Sequence, residues 1–191
     1  MPSFAQFAGL AAVVLSLGYV ASALPLNVLM PVNLSCTGSD PVSLAMAKIL
    51  VDLQAKISLI AGCNTVADLT IAVDALCAIL KSCSDELLKI GAGAAITTDA
   101  QASIVACIAG IVTLVVRACI SVTLKLGLSA VLVLIAKIDV ALQLLLVNLN
   151  VCIDGIVVLI AKALASVTVG LLAQVQLKLC LGVLGLAGVS L

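Results

Sequence analysis

Only seven of the ninety-two side chains from residue 100 to residue 191 carry a charge: Arg117, Lys125, Lys137, Asp139, Asp154, Lys162 and Lys178. A stretch this apolar folds only by burying its side chains against other elements, another copy of the chain or a surface. Residues 24–99 are different, with four Lys against seven acids, net −3, whereas residues 100–191 are net +3. The whole chain is 64% hydrophobic and 9% charged, against roughly 45–50% and about 25% in ordinary soluble domains. Eighteen charged side chains in 191 residues cannot shield a compact body, so some apolar surface is expected to stay exposed and to seek a partner surface. The net charge of zero opposes self-association only weakly. No Lys/Arg cluster occurs, so nucleic acid is not an expected partner.

The first twenty-three residues, MPSFAQFAGLAAVVLSLGYVASA, read as a secretory signal. An apolar run from Phe7 to Val20 is followed by Ala21, Ser22 and Ala23, small residues that suit cleavage after Ala23 and a mature chain starting at Leu24. No Lys or Arg precedes the run, so the terminal amine alone supplies the usual positive charge. The expected organisation is a signal over 1–23, an amphipathic, mildly acidic half over 24–99 and a highly hydrophobic half over 100–191. Eight cysteines follow the signal: Cys36, Cys63, Cys77, Cys83, Cys107, Cys119, Cys152 and Cys180. An even count on an export route predicts four disulfides, with 105 connectivities open. If Cys107 and Cys119 share a helix they stand roughly 18 Å apart and cannot bridge each other. The same reasoning disfavours Cys77 with Cys83 unless a helix ends between them.

Hydrophobic periodicity predicts helices throughout. Asp40 before Pro41 is an N-cap signature, and the helix should run to about Ala61 with Gly62 as terminator. Met46, Ile49, Leu50, Leu53, Ile57 and Ile60 form its buried stripe. Lys48, Asp52 and Lys56, four apart, read as a solvated ion-pair ladder. Thr65 with Asp68 opens a second helix, with a seam of Val66, Leu69, Val73, Leu76 and Leu80 that ends near Lys81. Ser84, Asp85 and Glu86 then start a short helix stopped by Gly91, and residues 91–95 read as a joint between the halves.

Thr98 and Gln101 open the next helix, within which residues 100–116 are seventeen positions without a charge. A span needs about 20, so this is a marginal membrane candidate. Residues 128–147 and 152–175 read as two further helices, apolar nearly all round. Residues 121–126 and 174–179 alternate polar and apolar and are the two places where a strand competes with a helix, but their neighbours are helical in pattern and both are read as helical.

The sequence holds no His, hence no Ser/His/Asp or Cys/His constellation. It also holds no CxxC pair, phosphate loop or metal-ligand run, so neither enzymatic activity nor a cofactor is expected. Asp139 and Asp154 lie in the most apolar region and are expected to pair with Lys137, Arg117 or another cation. Asn33-Leu34-Ser35 fits the glycosylation sequon, and Asn150-Val151-Cys152 is a weaker variant.

A signal ending Ala-Ser-Ala, a more hydrophilic first half, a very hydrophobic second half and eight dispersed cysteines resemble the secreted, non-hydrophobin aerial-hyphae formation and attachment proteins of mushroom-forming fungi. Hydrophobins match poorly, because their eight cysteines include adjacent pairs and none are adjacent here. The resemblance implies a protein of the medium and hyphal wall that helps hyphae leave water and attach to hydrophobic supports, with no catalytic residue. The expected fold is an all-α, disulfide-linked helical bundle with a very hydrophobic C-terminal half. Its expected partners are hydrophobic surfaces, cell-wall polymer or lipid, and other copies of itself. Two other classes compete: an integral membrane protein with several helices, and a secreted lipid-binding carrier.

Overall fold

The computed structural model describes residues 34–164 and 166–186, with the side chains of 166–169 left aside. The proposed signal, its cleavage point at Ala23 and Asn33 lie outside the described residues. Residues from Leu34 onward form one compact unit. It contains four long helices, α1 (Pro41–Gly62), α2 (Val66–Ile90), α3 (Thr98–Leu126) and α4 (Leu128–Cys152). Three short ones follow, α5 (Ile156–Ala163), α6 (Ser166–Gln174) and α7 (Lys178–Val183). No strand occurs among the described residues, and the fold is all-α.

The helix starts follow local capping chemistry. Asp40 caps α1, its Oδ1 accepting from the Ser43 amide at 2.8 Å, with Pro41 in the first turn. Thr65 caps α2 by accepting from the Asp68 amide at 3.1 Å, while its hydroxyl donates to the Asp68 carboxylate at 2.6 Å instead of leaving it for the cap backbone. Thr97, one residue ahead of the expected Thr98, caps α3 through the Ala100 amide. Burial pushes the Asp40 carboxyl up, but its hydrogen bonds with Ser43 and nearby backbone amides outweigh this and hold it below the usual carboxylate value. A depressed folded pKa contributes stability above the unfolded value that is lost as pH falls through the folded one. Asp40→Asn keeps the cap and removes the titration. Between pH 6 and pH 3 the wild type should therefore lose ~1 kcal/mol or less that the variant does not lose, read as the difference in their urea midpoints.

Contacts between helices set the topology. Only residues 63–65 join the end of α1 to the start of α2, while near the other ends Lys48 reaches Glu86 at 2.8 Å and Met46 Sδ lies 3.7 Å from Cys83 Sγ, so α1 and α2 run antiparallel. Thr37 meets Ser103 at one end while the carbonyl of Ala61 accepts from Ser121 Oγ and Lys125 Nζ at the other, so α1 and α3 run parallel. Asp74–Lys137, Ser84–Asn148 and Leu87–Cys152 pair in increasing order, so α2 and α4 are also parallel. Between α3 and α4 the chain turns on Gly127 alone, whose φ of 85° favours glycine. α5 lies on α3, α7 on α4, and α6 contacts α7 and α3.

One core runs through all of this. Met46 and Leu53, Leu76 and Leu80, Ile104 and Ile108, Leu142 and Leu146, and Ile156 and Ile160 belong to a single buried cluster. The composition boundary at residues 99/100 therefore does not coincide with a break in packing. The six stripe residues expected on α1 are all buried, as are Leu69, Val73, Leu76 and Leu80 of α2, while Val66 is exposed.

Several expectations are corrected. α2 does not stop at Lys81 and restart at Ser84, because Ser84 is fully buried and its oxygens accept from Asn148, which holds the polar triplet inside one helix. Cys77 and Cys83 thus share α2. The helical reading of residues 121–126 holds, since they are the last turns of α3 and Ser121 and Lys125, one turn apart, reach the same carbonyl at the end of α1. Residues 174–179 hold the end of α6, a turn with Gln176 at φ 64° and the start of α7. The expected helix over 152–175 is divided, with α5 and α6 as separate elements, and α4 extends past 147 to Cys152. Lys48 points across to Glu86, on another helix, instead of along its own.

Candidate functional site: the apolar outer face

α4 is apolar on both sides. Its inner side, including Val131, Ile135, Ile138, Leu142, Leu146 and Leu149, is buried, yet Val133, Val140, Leu144, Val147 and Val151 are exposed. Steps of seven, four, three and four place these five on one helical face. Val133 is 72% exposed and Val140 54%, so this surface is available and not a core margin. Lys137 is the charge within the row, and its Nζ lies 2.8 Å from Asp74 of α2. α5 adds exposed Val158 and Leu159. On α1, exposed Leu44, Val51 and Leu59 also share a side, with exposed Ala47 and Ala55 between them, and Lys48, Asp52 and Lys56 run along one flank of that row.

α3 and α4 are each long and apolar enough to cross a membrane by length and composition. In α3 the charge-free residues 100–116 place Ile104, Ile108, Ile111, Val112 and Val115 in the core, which accounts for their apolarity by protein contacts.

The carboxylates singled out by sequence are not brought together. Asp139 is buried in α4, and its two oxygens accept from the amides of Leu179 and Cys180 at 2.8 and 2.9 Å. It caps α7 from a different helix, a structural role invisible to spacing. Lys137, its expected partner, is drawn to Asp74. Asp154 is exposed in the turn ahead of α5. Asn150 of the weaker sequon turns its side-chain oxygen to the Val157 amide at 3.4 Å.

The four expected bridges are not formed in this structure: Cys36, Cys63, Cys77, Cys83, Cys107, Cys119, Cys152 and Cys180 all stand as thiols. Burial pushes the Cys83 thiol up to about 12. Burial and then the charge of Asp139 do the same for Cys119. Cys63 and Cys152 donate to the carbonyls of Leu59 and Leu87 at 3.3 and 3.1 Å. Such thiols are inert. Cys36 and Cys107, 71 positions apart in sequence, lie beside one another, and each is the leading cause of the other's shift, which holds Cys36 below the usual thiol value and pushes Cys107 above it. No cluster of three or more His, Cys, Asp or Glu poised for a metal occurs among the described residues. The chain matches no family model, no curated protein and no solved structure.

Proposed function

We propose that this is a secreted structural protein of the fungal cell wall, surface-active, that helps hyphae form aerial structures and attach to hydrophobic surfaces. The observation that carries the reading is the row of exposed apolar residues on α4, in which Lys137 is the one charge, whereas the apolar row on α1 is flanked along its length by Lys48, Asp52 and Lys56. The α4 face adsorbs to air, a hydrophobic solid or lipid, while α1 and α2 turn their charges to water or wall polymer. Adsorption is then driven by removal of apolar area from water, at roughly 25 cal/mol per Å². Copies of the chain meet through the same face when no surface is present. Export from the cell by the 1–23 signal, disulfide linkage of the helices and glycosylation at Asn33 belong to the same proposal.

Val140→Lys combined with Leu144→Lys tests it, because both side chains point outward and the core is untouched. Each removes about 1 kcal/mol of surface burial, so affinity for a hydrophobic film should fall roughly tenfold or more. Raising the salt should change wild-type adsorption little, since screening acts on charges. A surface balance reads both. Equal adsorption of variant and wild type, or wild type stripped off by salt, overturns the reading. The membrane alternative draws on the length and apolarity of α3 and α4. Alkaline extraction of hyphae decides against it if the protein leaves with the soluble fraction.

A further inference from the structure

The short segment ahead of α1 is tied down at one place. The amide of Thr37 donates to Ser103 Oγ at 2.8 Å, and Thr37 Oγ1 lies 3.0 Å from the same oxygen. Ser103 is on the first turns of α3, and Cys107 follows it by four positions, on the same face. This clamp brings Cys36, the residue before Thr37, against Cys107. Cys36 is half-buried against the core, and Cys107 is buried.

We infer that Cys36 and Cys107 form a disulfide in the mature protein, a covalent clasp between the segment ahead of α1 and the start of α3. It rests on the proposed export only for its setting, since an exported chain meets oxidised dithiols and disulfides. The third nearby thiol, Cys83, is the rival. It sits on α2, its Sγ faces Met46 Sδ at 3.7 Å, and α2 is not among the helices packed closely on α3. The contact with Cys107 leads the causes that hold Cys36 below the usual thiol value, and the same contact, then burial, pushes Cys107 up. Cys36 is therefore the attacking thiolate. With glutathione disulfide as oxidant, the Cys36 thiolate attacks one sulfur and expels one glutathione thiolate. The resulting mixed disulfide is then attacked at the Cys36 sulfur by Cys107, which gives up its proton, and the second glutathione leaves. Two protein thiols are oxidised to one disulfide and one glutathione disulfide is reduced to two glutathiones. The closed loop holds α1 and α2 whole, so when the α4 face adsorbs, these helices remain fastened to α3.

Trypsin places the three thiols on different peptides: Cys36 on the one ending at Lys48, Cys83 on residues 82–89 and Cys107 on residues 90–117. The full-length reduced protein is equilibrated with glutathione disulfide, quenched with acid, unfolded in urea, alkylated without reduction, digested and weighed. The Cys36 peptide should be found joined to the Cys107 peptide. Cys36→Ser should convert Cys107 from unlabelled to labelled, and Cys83→Ser should leave the bond intact. Alkylated Cys36 and Cys107 in the wild type, or a bond from either to Cys83, overturns the inference. Because the oxidation is carried out on purified protein, its result stands apart from the export reading, which fails separately if the chain stays inside the cell.

Discussion

Replacing Ile108 by Asp is expected to leave the chain unfolded in water, whereas the same replacement at Val133 is expected to leave it folded. Ile108 lies at the middle of α3 and is 1% exposed, while Val133 on α4 is 72% exposed. Removing a buried Ile side chain costs about 2–5 kcal/mol through lost burial and the cavity left behind. Placing an unpaired carboxylate there adds several kcal/mol more unless it is protonated. The sum reaches the ~5–15 kcal/mol that holds a typical domain together. At Val133 the carboxylate stays in water, and surface changes of that kind usually fall within about 0.5 kcal/mol. Far-UV circular dichroism and urea titration of the two variants check the pair. A folded Ile108→Asp protein would show that α3 is not the core helix described above.

Asp139→Ala carries the second large effect. The substitution leaves the part-buried amide of Leu179 and the buried amide of Cys180 without acceptors, and α7 has no side-chain cap of its own. An unsatisfied buried donor costs about 1–3 kcal/mol, so a total loss of about 3 kcal/mol is expected. The damage should be local first, because α7 is six residues long and is held mainly by its contact with α4. Cys180 reports on it: the thiol is fully buried, and burial together with Asp139 pushes its pKa up, so in the reduced wild type it should react slowly. In the variant, Cys180 should label fast and residues 178–183 should lose hydrogen-exchange protection, while α1 and α2 keep theirs. If Cys180 labels at the wild-type rate, the carboxylate does not hold α7.

Much of the helical layout was legible because its signals are local. Asp40 followed by Pro41, Thr65 followed by Asp68, and the stripe from Met46 to Ile60 each act within a few residues of chain, and each behaves in the structure close to expectation. Where a local signal was misread, a distant partner decided. The Ser84-Asp85-Glu86 triplet looks like a helix start, but Asn148, 64 residues away, accommodates Ser84 in the core. The alternation over 121–126 matches a strand period as well, yet the helical reading held, with Ser121 and Lys125 one turn apart on the carbonyl at the end of α1.

The scarcity of charge by itself determined that this chain must leave apolar surface exposed, since eighteen charged residues cannot cover it. Which apolar residues those are was decided only by the packing. α3 and α4 are alike in hydropathy, yet α3 is the more enclosed, contacting α1, α5 and α6 besides α4, and α4 keeps an outward row from Val133 to Val151. The juxtaposition of Cys36 with Cys107 and the capping of α7 by Asp139 were likewise beyond reach of spacing. The physical reason is common to all three: hydropathy and propensity describe what each residue prefers, while exposure, pairing and capping depend on which elements the folded chain brings alongside one another.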